Sequence, residues 1–323
     1  MIGSGTAREV LTYAIPLRTR FRGLTVRDGM LLRGSAGWGE FSPFWDYDDD
    51  ESAAWLRAAL EAADDGWPAP VRGSIPVNVT IPAVDGADAH RLVMASGGCR
   101  TAKVKVAERG QDLGQEIARL EAVRDALGPD GAIRIDANGG WDLETALARL
   151  PILDRAAGGL EYAEQPAASV ADLAALRRRL EIPIAADESI RRAEDPLAVV
   201  RAEAADVVVL KVQPLGGVRA CLSLAEQVGL PVVVSSALET SIGLAAGVAL
   251  AAALPTLPHA CGLATAQLFT ADVVADPLLP VDGAIPVRRP GLDVDRAADV
   301  AADTDLNARW AARLDAVRGR TNA

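Results

Sequence analysis

Eight short apolar segments alternate with longer helix-forming stretches between residues 75 and 265. Runs of β-branched residues are typical of parallel strands that are buried on both faces, and the helical stretches between them supply the cover. No G-x-G-x-x-G sequence follows the first segment, which disfavours an open dinucleotide-binding sheet. Eight such units predict a closed α/β barrel. The predicted strands are IPVNVTI (75–81), TAKVKV (101–106), AIRIDAN (132–138), LEYAEQP (160–166), IPIAADES (182–189), DVVVLKV (206–212), PVVVSSALE (231–239) and ACGLAT (260–265).

The first 74 residues have a different texture from the rest of the chain. They hold four of the six tryptophans, an acidic run over residues 46–52, and strand-like pieces such as residues 29–34. We expect a small α+β domain over residues 1–74 and a barrel domain over residues 75–267. The tail, residues 268–323, is expected to pack back on the N-terminal domain.

The composition excludes several classes of protein. The net charge of −11, with Lys and Arg scattered along the chain, argues against a nucleic-acid partner. Three cysteines, Cys99, Cys221 and Cys261, are too few for a disulfide framework and are expected to be buried free thiols. The N-terminus shows no signal-peptide pattern, and the longest apolar run, residues 242–254, is shorter than the ~20 residues of a membrane span. We therefore expect a soluble, cytoplasmic protein, a monomer or a homo-oligomer, that acts on a small molecule.

Charged side chains end the predicted strands. Catalytic groups of such barrels lie at the carboxyl ends of the strands. The residues at these ends are 31, 28, 23 and 24 residues apart, close to the ~31 expected when 250 residues make eight units. They are Lys105, Asp136, Glu164, Asp187 and Lys211.

A single aspartate after a strand usually caps the next helix. We interpret Asp142 and Ser169 in this way, but Asp136 lies too far before the helix that is predicted to begin near Asp142. Three carboxylates that converge from neighbouring strands, Asp136, Glu164 and Asp187, would repel each other unless a cation lay between them. Oxygen ligands without His or Cys suit a hard ion, which predicts Mg²⁺, with Mn²⁺ as an alternative.

The lysines suggest acid–base chemistry at the same place. Lys103 and Lys105 are two residues apart on one strand, so that both point into the barrel. Burial and mutual repulsion of two ammonium groups favour loss of a proton, and this can make a base near neutral pH. Lys211 ends a strand on the far side of the barrel. A divalent ion between facing lysines suits removal of a proton α to a carboxylate.

With these motifs in place, the chain resembles the enolase superfamily, in the branch that contains the muconate-lactonising enzymes. Within this branch it is most similar to the o-succinylbenzoate synthase family. The shared sequences are KVK (103–105), DAN (136–138), EQP (164–166), DES (187–189) and LK (210–211), together with RGLTVRDG (22–29), GWGEFSPF (37–44), IPVNVTIPA (75–83), RIDAN (134–138) and SSALETSIGL (235–244). The resemblance implies a (β/α)7β barrel, a modified TIM barrel, with an N-terminal α+β capping domain.

The resemblance also implies a reaction, a Mg²⁺-dependent syn dehydration in menaquinone biosynthesis that passes through an enediolate. Lys105 would abstract the α-proton, and Lys211 would stabilise the intermediate from the opposite face. The implied magnesium ligands are Asp136, Glu164 and Asp187.

Further residues receive supporting roles. Lys103 would hold a substrate oxygen, and Ser235 or Ser236, with nearby backbone N–H groups, would meet the succinyl carboxylate. Arg134 shares a strand face with Asp136 and is predicted to touch the substrate. Asn138 and Glu188 would orient the residues that bind the metal.

Several alternatives stay open at this point. N-succinylamino acid racemases and dipeptide epimerases would use the same two lysines on opposite faces. A dehydratase with a histidine base is disfavoured, because His90 and His259 do not end strands. An imine-forming aldolase would not need three carboxylates, and a barrel that serves only for binding would not need the lysines.

Overall fold

A computed structural model of the chain describes residues 8–193 and 195–320. Residues 1–7 and 321–323, which are the outer ends of the predicted capping domain and tail, lie outside the described residues. The prediction about a signal peptide concerns the first of these segments and therefore also falls outside the described residues. The described N-terminal part forms an antiparallel sheet followed by helix α1 and a π-helical turn, Glu61–Asp65. Its elements are β1 Val10–Phe21, β2 Leu24–Arg33, β3 Trp38–Phe41 and α1 Asp49–Leu60.

The hairpin between β1 and β2 turns over two residues, Arg22 and Gly23. Both have positive φ, 50° and 77°, and Phe21 pairs with Leu24 across the turn. A tight turn with two positive φ angles matches the twist of the flanking strands. The tip of this hairpin reaches the barrel, as described below.

The central part of the chain, within the described residues, folds into seven parallel strands in the order β11-β10-β9-β8-β7-β6-β5. These seven strands are β5 Asn78–Ile81, β6 Thr101–Lys105, β7 Ala132–Asp136, β8 Tyr162–Glu164, β9 Ile184–Ala186, β10 Val207–Leu210 and β11 Val232–Val234, and the short strand β4 Ser74–Pro76 precedes them outside this sheet. The helices are α2 Gly86–Met94, α3 Leu113–Leu127, α4 Leu143–Ala157, α5 Val170–Arg179, α6 Glu188–Arg191, α7 Ala198–Arg201, α8 Val218–Val228 and α9 Ser241–Ala253. The predicted fold class is confirmed.

Two predicted strands differ in detail from the structure. Residues 260–265 do not form a regular strand, and closure uses only bridges from Cys261 to Val77 and from Gly262 to Ser235 before a 3₁₀ turn, Ala264–Leu268. The first predicted strand is split, because Ser74–Pro76 pairs with the tail strand instead of with the barrel.

Side chains alternate between the inside and the outside of the barrel, as the pleat of a strand requires. Ala102, Val104, Ile133 and Ile135 belong to the core beneath the helices. Lys103, Arg134 and the other alternate residues therefore point inward.

Asp142 and Ser169 cap α4 and α5, as predicted, by accepting from the backbone N–H groups of Thr145 and Asp172. Asp187 stands at the same position before α6, yet its side chain makes no capping bond. Its carboxylate is therefore directed to other partners.

The tail contains β12 Ala284–Pro286, α10 Val294–Asp299 and α11 Thr304–Arg318. Helix α11 contacts the N-terminal sheet through Trp310, which packs edge-on against Phe41 and donates to Asp28 Oδ1 at 2.7 Å. Strand β12 lies instead on β4. The predicted domain boundaries stay a prediction.

Cys99, Cys221 and Cys261 are buried free thiols, as predicted. Within the part of the chain that the structure describes, every helix is too short or too polar to cross a membrane.

Candidate active site

A cavity of about 610 Å³ lies between the N-terminal sheet and the carboxyl ends of the barrel strands. The barrel contributes Lys103, Lys105 and Lys211 to its lining. The hairpin tip contributes Phe21 and Arg22, so that the capping domain covers the strand ends. The three lysines that were predicted to act in the reaction therefore line one cavity.

Strand register brings three of the predicted residues to one level. Lys105 pairs with Asp136 across β6 and β7, and Asp136 pairs with Glu164 across β7 and β8. Because neighbouring parallel strands present paired residues on the same side, the three side chains form a row inside the barrel. Asp187 follows the next strand, in which Ala185 pairs with Glu164, so that Asp187 lies two residues beyond the level of this row.

Lys103 lies between two of the carboxylates. Its Nζ is 2.9 Å from Asp136 Oδ2 and 2.8 Å from Glu164 Oε1. Burial acts to lower the pKa of Lys103, but the charges of Asp136 and Glu164 raise it well above its usual value. The structure thus departs from the expectation that burial and repulsion by Lys105 dominate at this residue.

Lys105 reaches the same carboxylate from the cavity side. Its Nζ is 2.6 Å from Asp136 Oδ2 and 2.6 Å from Asn138 Oδ1. Although burial opposes the effect, the ammonium groups of Lys103 and Lys105 hold the pKa of Asp136 well below its usual value. The ring of Phe21 lies 5.7 Å from Lys105 Nζ. Barrel residues therefore position Lys105, and the ring of Phe21 from the capping domain lies near its amine.

Lys211 lies on the opposite side of the barrel, since β7, β8 and β9 separate its strand from β6. Its Nζ donates to Asp187 Oδ2 at 2.6 Å. Burial lowers the pKa of Lys211, against the charge of Asp187. The pKa of Asp187 is held below its usual value by Arg191 and Lys211, in spite of burial.

One carboxylate of the row lacks a full set of partners. Glu164 Oε2 is buried and has no hydrogen-bond partner among the described residues. Burial and the charge of Asp136 raise the pKa of Glu164 to about 7. In the described chain no three acidic, histidine or cysteine side chains form a ready metal cluster. Lys103 and Lys211 instead hold oxygens of the three acids. The free oxygen and the raised pKa fit an additional cation at Glu164.

Two residues of the site, Arg191 and Tyr47, were missed in the sequence. Arg191 donates from Nε to Asp187 Oδ1 at 2.9 Å and from Nη2 to Glu188 Oε1 at 2.6 Å, and it also contacts Tyr47 Oη of the capping domain. Its place four residues after Asp187 is the signal that could have identified it. Lysine usage is a second missed signal, because the chain has thirty arginines and only three lysines, all of them at this site.

Asn138 and Glu188, which were predicted to orient the metal ligands, lie beside the row. Asn138 Nδ2 donates to Glu188 Oε1 at 3.2 Å, and its backbone N–H donates to Asp136 Oδ1 at 3.0 Å. Its φ of 46° turns the chain so that both contacts are made. The pair connects the strand end of Asp136 to helix α6.

Ser235 and Ser236 both line the cavity. The Ser236 hydroxyl is 2.6 Å from Thr265 Oγ1. The backbone N–H groups of residues 235–238 are bonded within the chain, to Leu210 O, Gly262 O, the Glu239 carboxylate and Ser236 Oγ respectively. This wall therefore presents hydroxyls to the cavity, and the expected use of its backbone N–H groups for a ligand needs correction.

Arg134 occupies a different place from the predicted one. It is fully buried and donates to Glu161 Oε2 at 2.6 Å, to Asn78 Oδ1 at 3.1 Å and to Ala260 O at 2.7 Å. It lies two residues, or ~7 Å, deeper in the barrel than Asp136. Although burial acts in the opposite direction, His259 and Arg134 lower the pKa of Glu161 to about 2. Arg134 thus joins the lower ends of the strands and does not line the cavity.

Replacing Arg134 with alanine should lower the free energy of unfolding by about 3 kcal/mol, because acceptors in the barrel lose a buried cation. Urea denaturation measures this change. Arg33→Ala is the control, because Arg33 pairs with Glu9 on the surface and its loss should change stability by less than about 1 kcal/mol. If both variants were equally stable, the structural role of Arg134 would be refuted.

Comparison with known proteins identifies the family. Residues 86–300 match the model of the enolase C-terminal domain-like family, and residues 12–63 match that of the enolase N-terminal domain-like family. An o-succinylbenzoate synthase of Thermobifida fusca (strain YX) is 66% identical over 306 residues, which cover 95% of each chain. One from Mycobacterium ulcerans (strain Agy99) is 54% identical over 304 residues, covering 94% of this chain and 91% of the relative.

Solved structures share the fold at low sequence identity. The 2-chloromuconate cycloisomerase of Rhodococcus opacus 1CP superposes with a TM-score of 0.78 at 23% identity, covering 92% of this chain and 99% of that one. The L-Ala-D/L-Glu epimerase of Bacillus subtilis gives 0.75 at 22% identity, covering 88% and 96%. The resemblance inferred from the motifs is confirmed. The chain belongs to the enolase superfamily, and within it the chain is an enzyme of the group that these o-succinylbenzoate synthases represent.

Proposed function

We propose that the chain is an o-succinylbenzoate synthase, which dehydrates 2-succinyl-6-hydroxy-2,4-cyclohexadiene-1-carboxylate to 2-succinylbenzoate in menaquinone biosynthesis. The observation that carries the proposal is the pair of lysines, Lys105 and Lys211, on opposite sides of one carboxylate row inside a covered cavity. The names of the relatives at 51–66% identity support the same activity.

We propose that Asp136, Glu164 and Asp187 hold Mg²⁺, with Mn²⁺ as a substitute. The partnerless oxygen of Glu164 and the all-oxygen donor set suit a hard ion. When bound, the ion supplies positive charge that stabilises the enediolate form of the substrate carboxylate. Since the substrate carries two carboxylates, a divalent cation also balances its charge.

Lys105 acts as the base in this proposal. Its Nζ takes the α-proton from C1 of the substrate, the C6–O bond breaks, and the same proton leaves with the hydroxide as water. Proton removal and departure take place on one face, which is a syn elimination. Asp136 and Asn138 hold the amine in position for this transfer. The six-membered ring becomes aromatic as the product forms.

Lys211 and Lys103 supply fixed charge. Lys211, held by Asp187, faces the ring from the other side and stabilises the intermediate by its charge and by a cation–π contact with the nascent aromatic ring. Lys103 binds a substrate oxygen next to Glu164. Ser235 and Ser236 bind the succinyl carboxylate through their hydroxyls, while Asn138 and Glu188 orient the acidic residues.

We also propose the domain division made from the sequence, with a capping domain over residues 1–74, joined by the tail 268–323, and a catalytic barrel over 75–267. The shared interface around Trp310 supports the place of the tail. The pairing of β12 with β4 indicates that part of the tail also serves the barrel.

A second candidate is racemisation or epimerisation of N-succinylamino acids or dipeptides, because two opposed lysines can exchange protons with both faces of a carbon acid. We expect the cyclohexadiene precursor to be converted with a kcat/KM at least about a hundredfold above that for any N-succinylamino acid. The reason is that an active site binds the transition state of its own substrate more tightly than that of a different substrate. Side-by-side kinetics with both substrates measure the ratio. A reversed preference would assign the chain to the racemases.

A further inference from the structure

The wall of the cavity formed by Ser235–Leu238 ends in an irregular turn before helix α9. Leu238 has a φ of 66°, a conformation that a leucine adopts only when its surroundings enforce it. Two buried charged residues hold this turn. Arg27 of β2 donates to Leu238 O at 2.8 Å, and the Glu239 carboxylate accepts from the backbone N–H of Ala237 at 2.8 Å. The shape of the wall therefore depends on contacts outside the wall.

Glu40 of β3 is almost fully buried and contacts the residues that directly follow this turn. One of its oxygens stays within the capping domain and accepts from Tyr13 Oη at 2.6 Å and Ser42 Oγ at 2.8 Å. The other crosses to the first turn of α9. It accepts from Thr240 N at 3.1 Å, Thr240 Oγ1 at 2.5 Å and Gly243 N at 3.2 Å. A single carboxylate thus connects the cap to the barrel.

The helix terminus favours an acid at this position. The first N–H groups of a helix lack partners within the helix, and the positive end of its dipole attracts a carboxylate. The contact also needs close approach, because a Cβ on Gly243 would lie 2.8 Å from Glu40 Oε2. Removing the Glu40 side chain would leave the N–H groups of Thr240 and Gly243 buried without acceptors, which favours movement of the turn.

A second carboxylate accepts from the first N–H groups of the neighbouring barrel helix, α8, and provides a comparison. Glu61, just after α1, accepts from Val218 N at 2.5 Å and from Arg219 N at 3.1 Å at the start of α8. Within the described chain, however, the first turn of α8, residues 218–221, does not line the cavity. Glu40 and Glu61 therefore share a physical role but differ in their distance from the cavity wall.

We propose that Glu40 is a positioning residue of the active site, which holds the wall Ser235–Leu238 by anchoring the first turn of α9 to the capping domain. The consequence for catalysis rests on the proposed function, because this wall is the one assigned to the succinyl group. The structural part of the proposal does not depend on it. The two parts are therefore tested separately.

Hydrogen exchange of the backbone amides tests the structural part, with Glu40→Ala compared with Glu61→Ala in the full chain. Glu40→Ala should raise exchange over residues 235–243 by at least about tenfold, because the carboxylate that accepts from the N–H groups of Thr240 and Gly243 is lost. Glu61→Ala should raise exchange over residues 218–221 and leave 235–243 unchanged. Unchanged exchange in Glu40→Ala, or equal acceleration of 235–243 in both variants, overturns the proposal.

Kinetics test the consequence. Glu40→Ala should raise KM for the cyclohexadiene precursor roughly tenfold, with kcat within about threefold, whereas Glu61→Ala should leave KM unchanged. Glu40→Gln should recover most of the loss, because its amide oxygen still accepts from Thr240 and Gly243 while the hydroxyls of Tyr13 and Ser42 accept from its NH₂ group. If Glu40→Ala does not fold, Glu40→Asp replaces it in the exchange experiment, because its carboxylate is one methylene too short to bond Tyr13 and the first turn of α9 together. A wild-type chain without dehydratase activity refutes the proposed function, and hydrogen exchange still decides the role of Glu40.

Discussion

Replacing Lys105 with alanine should lower kcat for dehydration by at least about 10³-fold, because positioned acid–base groups contribute 10²–10⁴ and this amine both removes and returns the proton. Binding of the product, 2-succinylbenzoate, should change by less than about tenfold. The carboxylates and Lys103, Lys211 and Arg191 keep their places without Lys105. Steady-state kinetics and isothermal titration calorimetry measure the two quantities.

Lys105→Arg is the matched control. It keeps a positive charge beside Asp136, but a guanidinium does not lose its proton at neutral pH and cannot act as a base. We expect it to be as inactive as Lys105→Ala. Because the chain has only three lysines, ¹⁵N labelling of lysine resolves each amine of the site and shows whether Lys103 and Lys211 are undisturbed in the variant. A near-normal rate in either variant would exclude Lys105 as the base.

The carboxyl ends of neighbouring strands lie at the same height in the barrel, and this explains why much of the site could be predicted from the sequence. Parallel pairing in a barrel is regular, so residues that end neighbouring strands arrive at the same rim. Lys105, Asp136 and Glu164 do so in direct register. The fold class followed from the same regularity, because eight strand–helix units leave few alternatives. Local sequence thus carries both kinds of information.

The depth of a side chain within the barrel and the contacts between the capping domain and the barrel could not be predicted in this way. Arg134 shares a face with Asp136, but the direction of a long side chain along the barrel axis depends on acceptors from three other segments. Tyr47 and Glu40 belong to the capping domain, and their partners are 144 and 200 residues away along the chain. Closure by bridges at Cys261 and Gly262 is likewise a property of the whole barrel, since a segment can complete the ring without a full ladder.

Removing divalent metal should abolish dehydration, with a loss of at least about 10³-fold, because charge stabilisation by a bound cation is worth several kcal/mol in the transition state. The expectation follows from Glu164, whose buried Oε2 has no hydrogen-bond partner among the described residues and whose pKa is raised by burial and by the charge of Asp136. Activity should return on addition of Mg²⁺, and also with Mn²⁺. Dialysis against excess EDTA, followed by metal titration of the rate, makes the measurement.

Asp136→Asn and Asp142→Asn separate a ligand from a helix cap. Asp136 is the last residue of β7 and Asp142 lies six residues further on, but Asp142 only caps α4, and asparagine caps a helix about as well. Asp142→Asn should therefore bind Mg²⁺ like the wild type, whereas Asp136→Asn should weaken binding by at least about tenfold, since it removes one charged oxygen ligand. Calorimetric titration with Mg²⁺ compares the three proteins. Full activity in excess chelator, with no metal found by elemental analysis, would remove the metal from the mechanism and leave the lysines to stabilise the intermediate alone.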